Sequence, residues 1–222
     1  MKKPELLAPA GDLEKLKIAV LYGADAVYFG GETFSLRAGA GNFTYEEMKE
    51  GIEFAHAHGA KCHLTVNIFA HNEDIEPFID YLKRVKDLGI DAFIASDPGV
   101  IDMIQEYIPD AEIHLSTQAN MTNYRTANFW YKMGVKRIVL AREMTFEEIH
   151  EIRDKIPADM ELEAFVHGAM CIFFWSAAFV LPNTLRACGD TRFVMIVSVV
   201  SMWVFRIGFS YILGVKMGLG VF

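Results

Sequence analysis

A carboxylate, an imidazole and a thiol recur at four-residue intervals in one short segment, Glu163-Ala-Phe-Val-His-Gly-Ala-Met-Cys171. Acid–base or nucleophilic chemistry needs such groups within hydrogen-bond reach of one another. Spacing of four aligns side chains on a helix, but on a strand it separates them by about 13 Å at roughly 3.3 Å per residue. A dyad of Cys171 with His167 therefore requires the chain to turn at Gly168. Other polar side chains fall where apolar runs end: Asp12, Arg37, Asn67, Ser96, Asp97, Ser116, Gln118, Asn120, Arg142 and Glu143. Asn67 and Arg142 join Glu163 and His167 as candidate catalytic residues, and Asp12, Arg37, Ser116, Gln118 and Asn120 are candidates for substrate binding. Asp12 and Asp97 equally suit helix caps, and Arg142 with Glu143 suits a solvated ion pair. Ser116-Thr-Gln-Ala-Asn120 presents hydroxyl and amide groups together, a hydrogen-bonding surface for a polar ligand. His63 and His114 fall singly inside apolar runs and read as core or supporting residues.

The elements that must position these groups follow a repeating unit. Tyr22-Gly-Ala-Asp-Ala-Val-Tyr-Phe-Gly30, Leu88-Gly-Ile-Asp-Ala-Phe-Ile-Ala-Ser96 and Met133-Gly-Val-Lys-Arg-Ile-Val-Leu-Ala141 each read as a helix end, a glycine and a buried strand, with His58 to Asn67 a looser copy. Glycine suits the left-handed residue that closes a helix, and a continuous apolar run suits a strand covered on both faces. Leu6 to Pro9, Ile113 to Thr117 and Leu162 to Val166 complete seven strands, with helices at about 13–22, 45–57, 74–87, 98–107, 123–132 and 145–155 between them. The alternation predicts an α/β fold, an incomplete (β/α)8-type parallel barrel one strand short of closure, with polar groups at the strand carboxyl ends. A doubly wound open sheet is the alternative, although Ala8-Pro-Ala-Gly-Asp12 lacks the GxGxxG spacing of a dinucleotide fold.

Glu163 to Cys171 resembles the first half of the signature of the peptidase U32 family, E-x-F-x-x-G-[SA]-[LIVM]-C followed by x4-G-x-C. Leu7-Ala-Pro-Ala-Gly-Asp12, Ala26-Val-Tyr-Phe-Gly-Gly31 and Ser116-Thr-Gln-Ala-Asn120 look like that family as well. The resemblance implies a barrel domain and an iron-sulfur cluster with Cys171 as its first ligand, acting in hydroxylation of RNA bases (tRNA or rRNA) or of small quinone precursors. Where the signature continues with Gly and Cys, this chain has Ser176 and Ala178. Four thiolates usually hold such a cluster, so an assembled cluster is not expected here.

Composition changes abruptly near Cys171. Residues 1–171 carry 17 cationic and 28 acidic side chains, net −11, whereas 172–222 carry four and one, net +3. The 21 residues Phe193 to Leu213 hold one charge, Arg206, and at about 1.5 Å per residue are long enough to span a bilayer. Phe179 to Phe193 and the apolar run after it resemble a loop and one helix of the multidrug and toxic compound extrusion (MATE) transporters. The expected organisation is a U32-like barrel over 1–171 and a transmembrane fragment over 172–222. The barrel is expected in the cytoplasm, because Met1-Lys-Lys-Pro-Glu5 does not open a signal peptide, and the tail in the cytoplasmic membrane through residues 193–213. Three scattered cysteines form no disulfide framework and no metal-ligand spacing. An acidic domain gains nothing toward RNA from its total charge, although Lys132, Lys136, Arg137 and Arg142 offer a local cationic patch. Three readings follow: a U32-type enzyme, truncated and inactive in this form; a transporter fragment; or a chimeric reading frame with no function of its own.

Overall fold

Local signals place the helices. Asp12, Thr44, Asp97, Asn123 and Thr145 each accept a hydrogen bond from a backbone N–H in the first turn that follows, and Thr44 with Glu47 and Thr145 with Glu148 form reciprocal capping boxes. At the far ends Gly23, Gly59, Gly89 and Gly134 take positive φ between 77° and 95°, a region open to glycine and strained for other residues. The computed structural model describes residues 3–35 and 42–166. Arg37, His167, Cys171 and the apolar stretch 193–213 lie outside them. Among the described residues no helix is long and apolar enough to cross a membrane.

The elements run β1 (Leu7–Pro9), α1 (Leu13–Leu21), β2 (Ala26–Gly30), α2 (Tyr45–Ala57), β3 (Lys61–Thr65), α3 (Ile75–Val85), β4 (Ala92–Ala95), α4 (Pro98–Tyr107), β5 (Glu112–Leu115), α5 (Tyr124–Lys132), β6 (Arg137–Val139), α6 (Phe146–Lys155) and β7 (Glu161–Glu163). Short 3-10 turns flank α3 at Asn72–Asp74 and Lys86–Leu88, which together fill the longer helix expected from sequence. The seven strands pair in parallel in the order β1 to β7. A doubly wound sheet reverses its strand order, so this order excludes that alternative and leaves a barrel-like, unclosed sheet.

One face of the sheet is apolar and meets the helices. Val27, Phe29, Cys62, Leu64, Phe93, Ile113, Leu115 and Ile138 join Leu16, Ile52, Phe78, Leu82, Ile104 and Trp130 in one core. Each fully buried side chain of this size stabilises the fold by roughly 1.5–3 kcal/mol. Side chains alternate along a strand, so the intervening residues face the other way, into the barrel interior.

The sheet curls far enough for its ends to meet at the strand amino termini. Arg137 Nη1, on β6, donates to Glu5 Oε1 at 2.6 Å, although the two residues are 132 apart in sequence. Arg137 also grips Glu161 of β7 through Nε at 2.8 Å and Nη2 at 2.6 Å. These ion pairs tie β1, β6 and β7 together where no eighth strand is present among the described residues.

Candidate active site

The inward-facing positions are unusually polar. Of the eight buried polar side chains among the described residues, seven lie on β3 to β6 or one or two residues past a strand end: His63, Thr65, Asn67, Ser96, His114, Ser116 and Arg137. The parallel register aligns them in rows. Gly30, Thr65, Ile94, His114, Arg137 and Glu161 are successive partners across five strand pairs. The row above runs through Ser116 and Val139 to Glu163, since Leu115 pairs Ile138 and Val139 pairs Glu163. Three of the sequence candidates, Asn67, Ser116 and Glu163, thus face one interior.

His63 and His114 are not the separate core residues their sequence positions suggest. Their rings meet edge to face with centroids 4.7 Å apart. The strand between them, β4, places only the small Ala92 opposite His63, and this leaves room for the two rings to touch. His63, Thr65 and His114 are 1%, 3% and 0% exposed. His63 Nδ1, His114 Nδ1, Thr65 Oγ1 and Glu163 Oε2 nevertheless have no hydrogen-bond partner among the described residues. Each such atom costs about 1–3 kcal/mol when left unsatisfied, so four on one face are a concentrated expense of stability. A period-two polar pattern inside apolar strands, His63-x-Thr65-x-Asn67 and Glu112-x-His114-x-Ser116, is the sequence signal that marks this face.

Electrostatics divides the interior. Burial, reinforced by His114 and Arg137, pushes His63 down to about 3, so its ring is neutral at ordinary pH. Burial also raises the Glu163 carboxyl above its usual range against the attraction of Arg137. Arg137 Nη1 stands 3.6 Å from Glu163 Oε2, near enough for charge attraction and too far for a good hydrogen bond. Glu5 is the opposite case. Burial works against its ionisation, but the hydrogen bond and charge of Arg137 outweigh it and hold the carboxyl low. His114 Nε2 lies 2.9 Å from Glu112 Oε1, a bond that holds Glu112 below its usual range.

The remaining candidates fall in several places. Gln118 Oε1 accepts from Ser116 Oγ and from Ser96 Oγ, the latter at 3.5 Å, so these three groups form one cluster past β4 and β5. Neither hydroxyl is directed at an imidazole, so this cluster has no serine–histidine pair. Asn120 is exposed and takes left-handed φ at the end of the turn after β5. Asp12 caps α1, accepting from the Lys15 N–H at 2.8 Å and pairing its ammonium at 2.5 Å. Asp97 likewise caps α4. The Arg142 guanidinium sits 4.1 Å from the Phe165 ring centroid. The cationic patch expected from Lys132, Lys136, Arg137 and Arg142 does not assemble. Arg137 is buried in its ion pairs, and Lys136 and Arg142 lie beyond opposite ends of β6.

No group of three or more His, Cys, Asp or Glu among the described residues could hold a metal ion. Cys62 faces the helices, and burial pushes its thiol up to about 12. The described residues hold no ligand set for an iron-sulfur cluster, and Cys171 lies outside them.

Residues 11–180 match the family described as Peptidase family U32. The tRNA hydroxylation protein P1 of Bacillus subtilis (strain 168) is 50% identical over 191 residues, which cover 86% of this chain and 44% of that protein. The tRNA hydroxylation protein P of Escherichia coli (strain K12) is 49% identical over 174 residues, covering 78% and 38%. The chain thus spans less than half the length of these relatives. The solved structure of the U32 peptidase Mk0906 superposes with a TM-score of 0.58 at 16% identity, over 73% of this chain and 68% of that one, a likeness of fold. These comparisons lend no support to a MATE-like segment, and the family match runs on to residue 180, past the compositional seam expected near Cys171.

Proposed function

The chain belongs to peptidase family U32, and on that premise we propose that its barrel interior binds and orients a base of RNA for hydroxylation. The observation that carries this reading is the set of four buried polar atoms on one inner face, from His63, Thr65, His114 and Glu163, that have no hydrogen-bond partner among the described residues. A nucleobase edge offers neighbouring donors and acceptors to such a face, and enzymes acting on a base take it out of its stack into a fitted pocket. The names of the two relatives, tRNA hydroxylation proteins, supply the reaction class and tRNA as the substrate. In this reading the Glu163 carboxyl, which burial raises above its usual range, donates a hydrogen bond or a proton to the base. Neutral His63 and the Thr65 hydroxyl complete its contacts, and Ser96, Ser116 and Gln118 line the approach. Asn67, Arg142, Asn120 and Asp12 remain candidate contacts on the same side, and Arg37 a candidate outside the described residues. Replacing a ring C–H by C–OH is a two-electron oxidation, and the described residues are given the binding and proton steps alone.

The test is mass spectrometry of tRNA nucleosides from a bacterial strain lacking its own tRNA hydroxylation proteins and expressing the full chain. Hydroxylated nucleoside should return with the wild-type chain and fail to return with Glu163→Gln. No hydroxylation by the wild-type chain, or equal hydroxylation by the variant, would overturn the reading.

A further inference from the structure

Phe165 lies two positions beyond Glu163, just past the end of β7 on the carboxyl side of the strands. It is 40% exposed, although an aromatic ring of this size ordinarily belongs in the core. Arg142, just past the neighbouring strand β6, lays its guanidinium 4.1 Å from the ring centroid. A charge over one face holds the ring in place and makes it a better partner for electron-rich groups stacked on the other. Phe69, beyond the end of β3 at the same mouth, is a second exposed aromatic.

We infer that Phe165, backed by Arg142, is a stacking platform for a nucleobase of single-stranded RNA entering the barrel at the carboxyl end of β7. The inference rests on the function proposed above and deepens it by naming the residue that holds the base. Stacking on an aromatic ring is tolerant of base identity and needs no cluster of cations. It therefore reconciles RNA binding with a domain of net charge −11 and with the scattered lysines described above.

The experiment measures binding of the full chain to a fluorescein-labelled single-stranded RNA heptamer and to the same heptamer with an abasic central nucleotide. Phe165→Ala should weaken binding of the intact heptamer by roughly 5- to 100-fold and leave binding of the abasic one unchanged. Phe165→Trp should retain wild-type affinity and show tryptophan quenching on addition of the intact RNA, whereas Phe165→Leu should behave like alanine. Wild-type affinity in Phe165→Ala, rescue by leucine as full as by tryptophan, or an equal loss for both RNAs would overturn the platform while leaving RNA binding intact. A wild-type chain that binds neither RNA would overturn the proposed function together with the platform. The tryptophan variant keeps the inference testable if alanine disturbs folding, since its quenching needs no truncated side chain.

Discussion

The two ends of the barrel interior treat polar groups in opposite ways. At the amino-terminal end of the strands charges are matched: Arg137 lies between Glu5 and Glu161, Lys61 stands 3.8 Å from Glu5, and His114 meets Glu112. Toward the carboxyl end, Thr65 Oγ1 and Glu163 Oε2 have no hydrogen-bond partner among the described residues, and Phe165 stays exposed. One end is arranged for stability, the other at the expense of it. Barrels of this type carry their chemistry at the carboxyl end, and the pairing pattern identifies that end from this chain alone.

The largest effect expected is at the stable end. Arg137→Ala leaves two carboxylates facing each other and breaks the ion pair that ties the segment before β1 to β6, so it should cost about 3–5 kcal/mol. Denaturant unfolding checks this, and a loss under 1 kcal/mol would show that the ion pairs are incidental. At the other end Glu163→Gln removes the proton while keeping shape and hydrogen bonding. It should lower hydroxylation by at least about 100-fold, the scale of a lost acid–base group, with the melting temperature nearly unchanged. An equal loss of stability in this variant would place Glu163 with Arg137 in the structural half.

His63 sharpens the contrast through pH. Its folded value lies near 3, below the ordinary 6.5, so the native state resists a proton that the unfolded chain accepts. The stability it contributes is complete above pH 6.5 and falls as pH drops from 6.5 toward 3, by at most about 1.4 kcal/mol per pH unit. His63→Gln should flatten stability over that window, and an unaltered slope would mean that other groups carry the acid sensitivity. The smallest effect has the opposite sign. Thr65→Val replaces an unpartnered buried hydroxyl with a methyl of the same shape, which should stabilise the fold by up to about 1 kcal/mol while weakening RNA hydroxylation. A destabilised Thr65→Val protein would show that the hydroxyl serves the fold.

Much of the scaffold was legible in the chain. The caps at Asp12, Thr44, Asp97, Asn123 and Thr145 and the left-handed glycines at 23, 59, 89 and 134 act within one helix turn, so helices and strands fall close to where periodicity places them. The polar inner face was legible only in part. Asn67, Ser116 and Glu163 stand out because each lies where an apolar run ends. The contact of His63 with His114 does not show in sequence, because a lone histidine in an apolar strand carries no sign of what lies across the next strand. Arg137 read as one member of a surface cluster because its sequence neighbours are exposed, whereas the strand turns it inward.

The sequence by itself determined the element order, the parallel barrel class and the family, because capping, glycine conformation and strand alternation are local and the Glu163 to Cys171 signature is contiguous. The tertiary structure alone decided which polar groups are partners. Sheet curvature brings Glu5 to Arg137 across 132 residues, and strand register sets His63 against His114 over Ala92. Burial then gives these contacts their chemistry, since a low-dielectric interior disfavours the charged form of both groups, lowering His63 and raising Glu163.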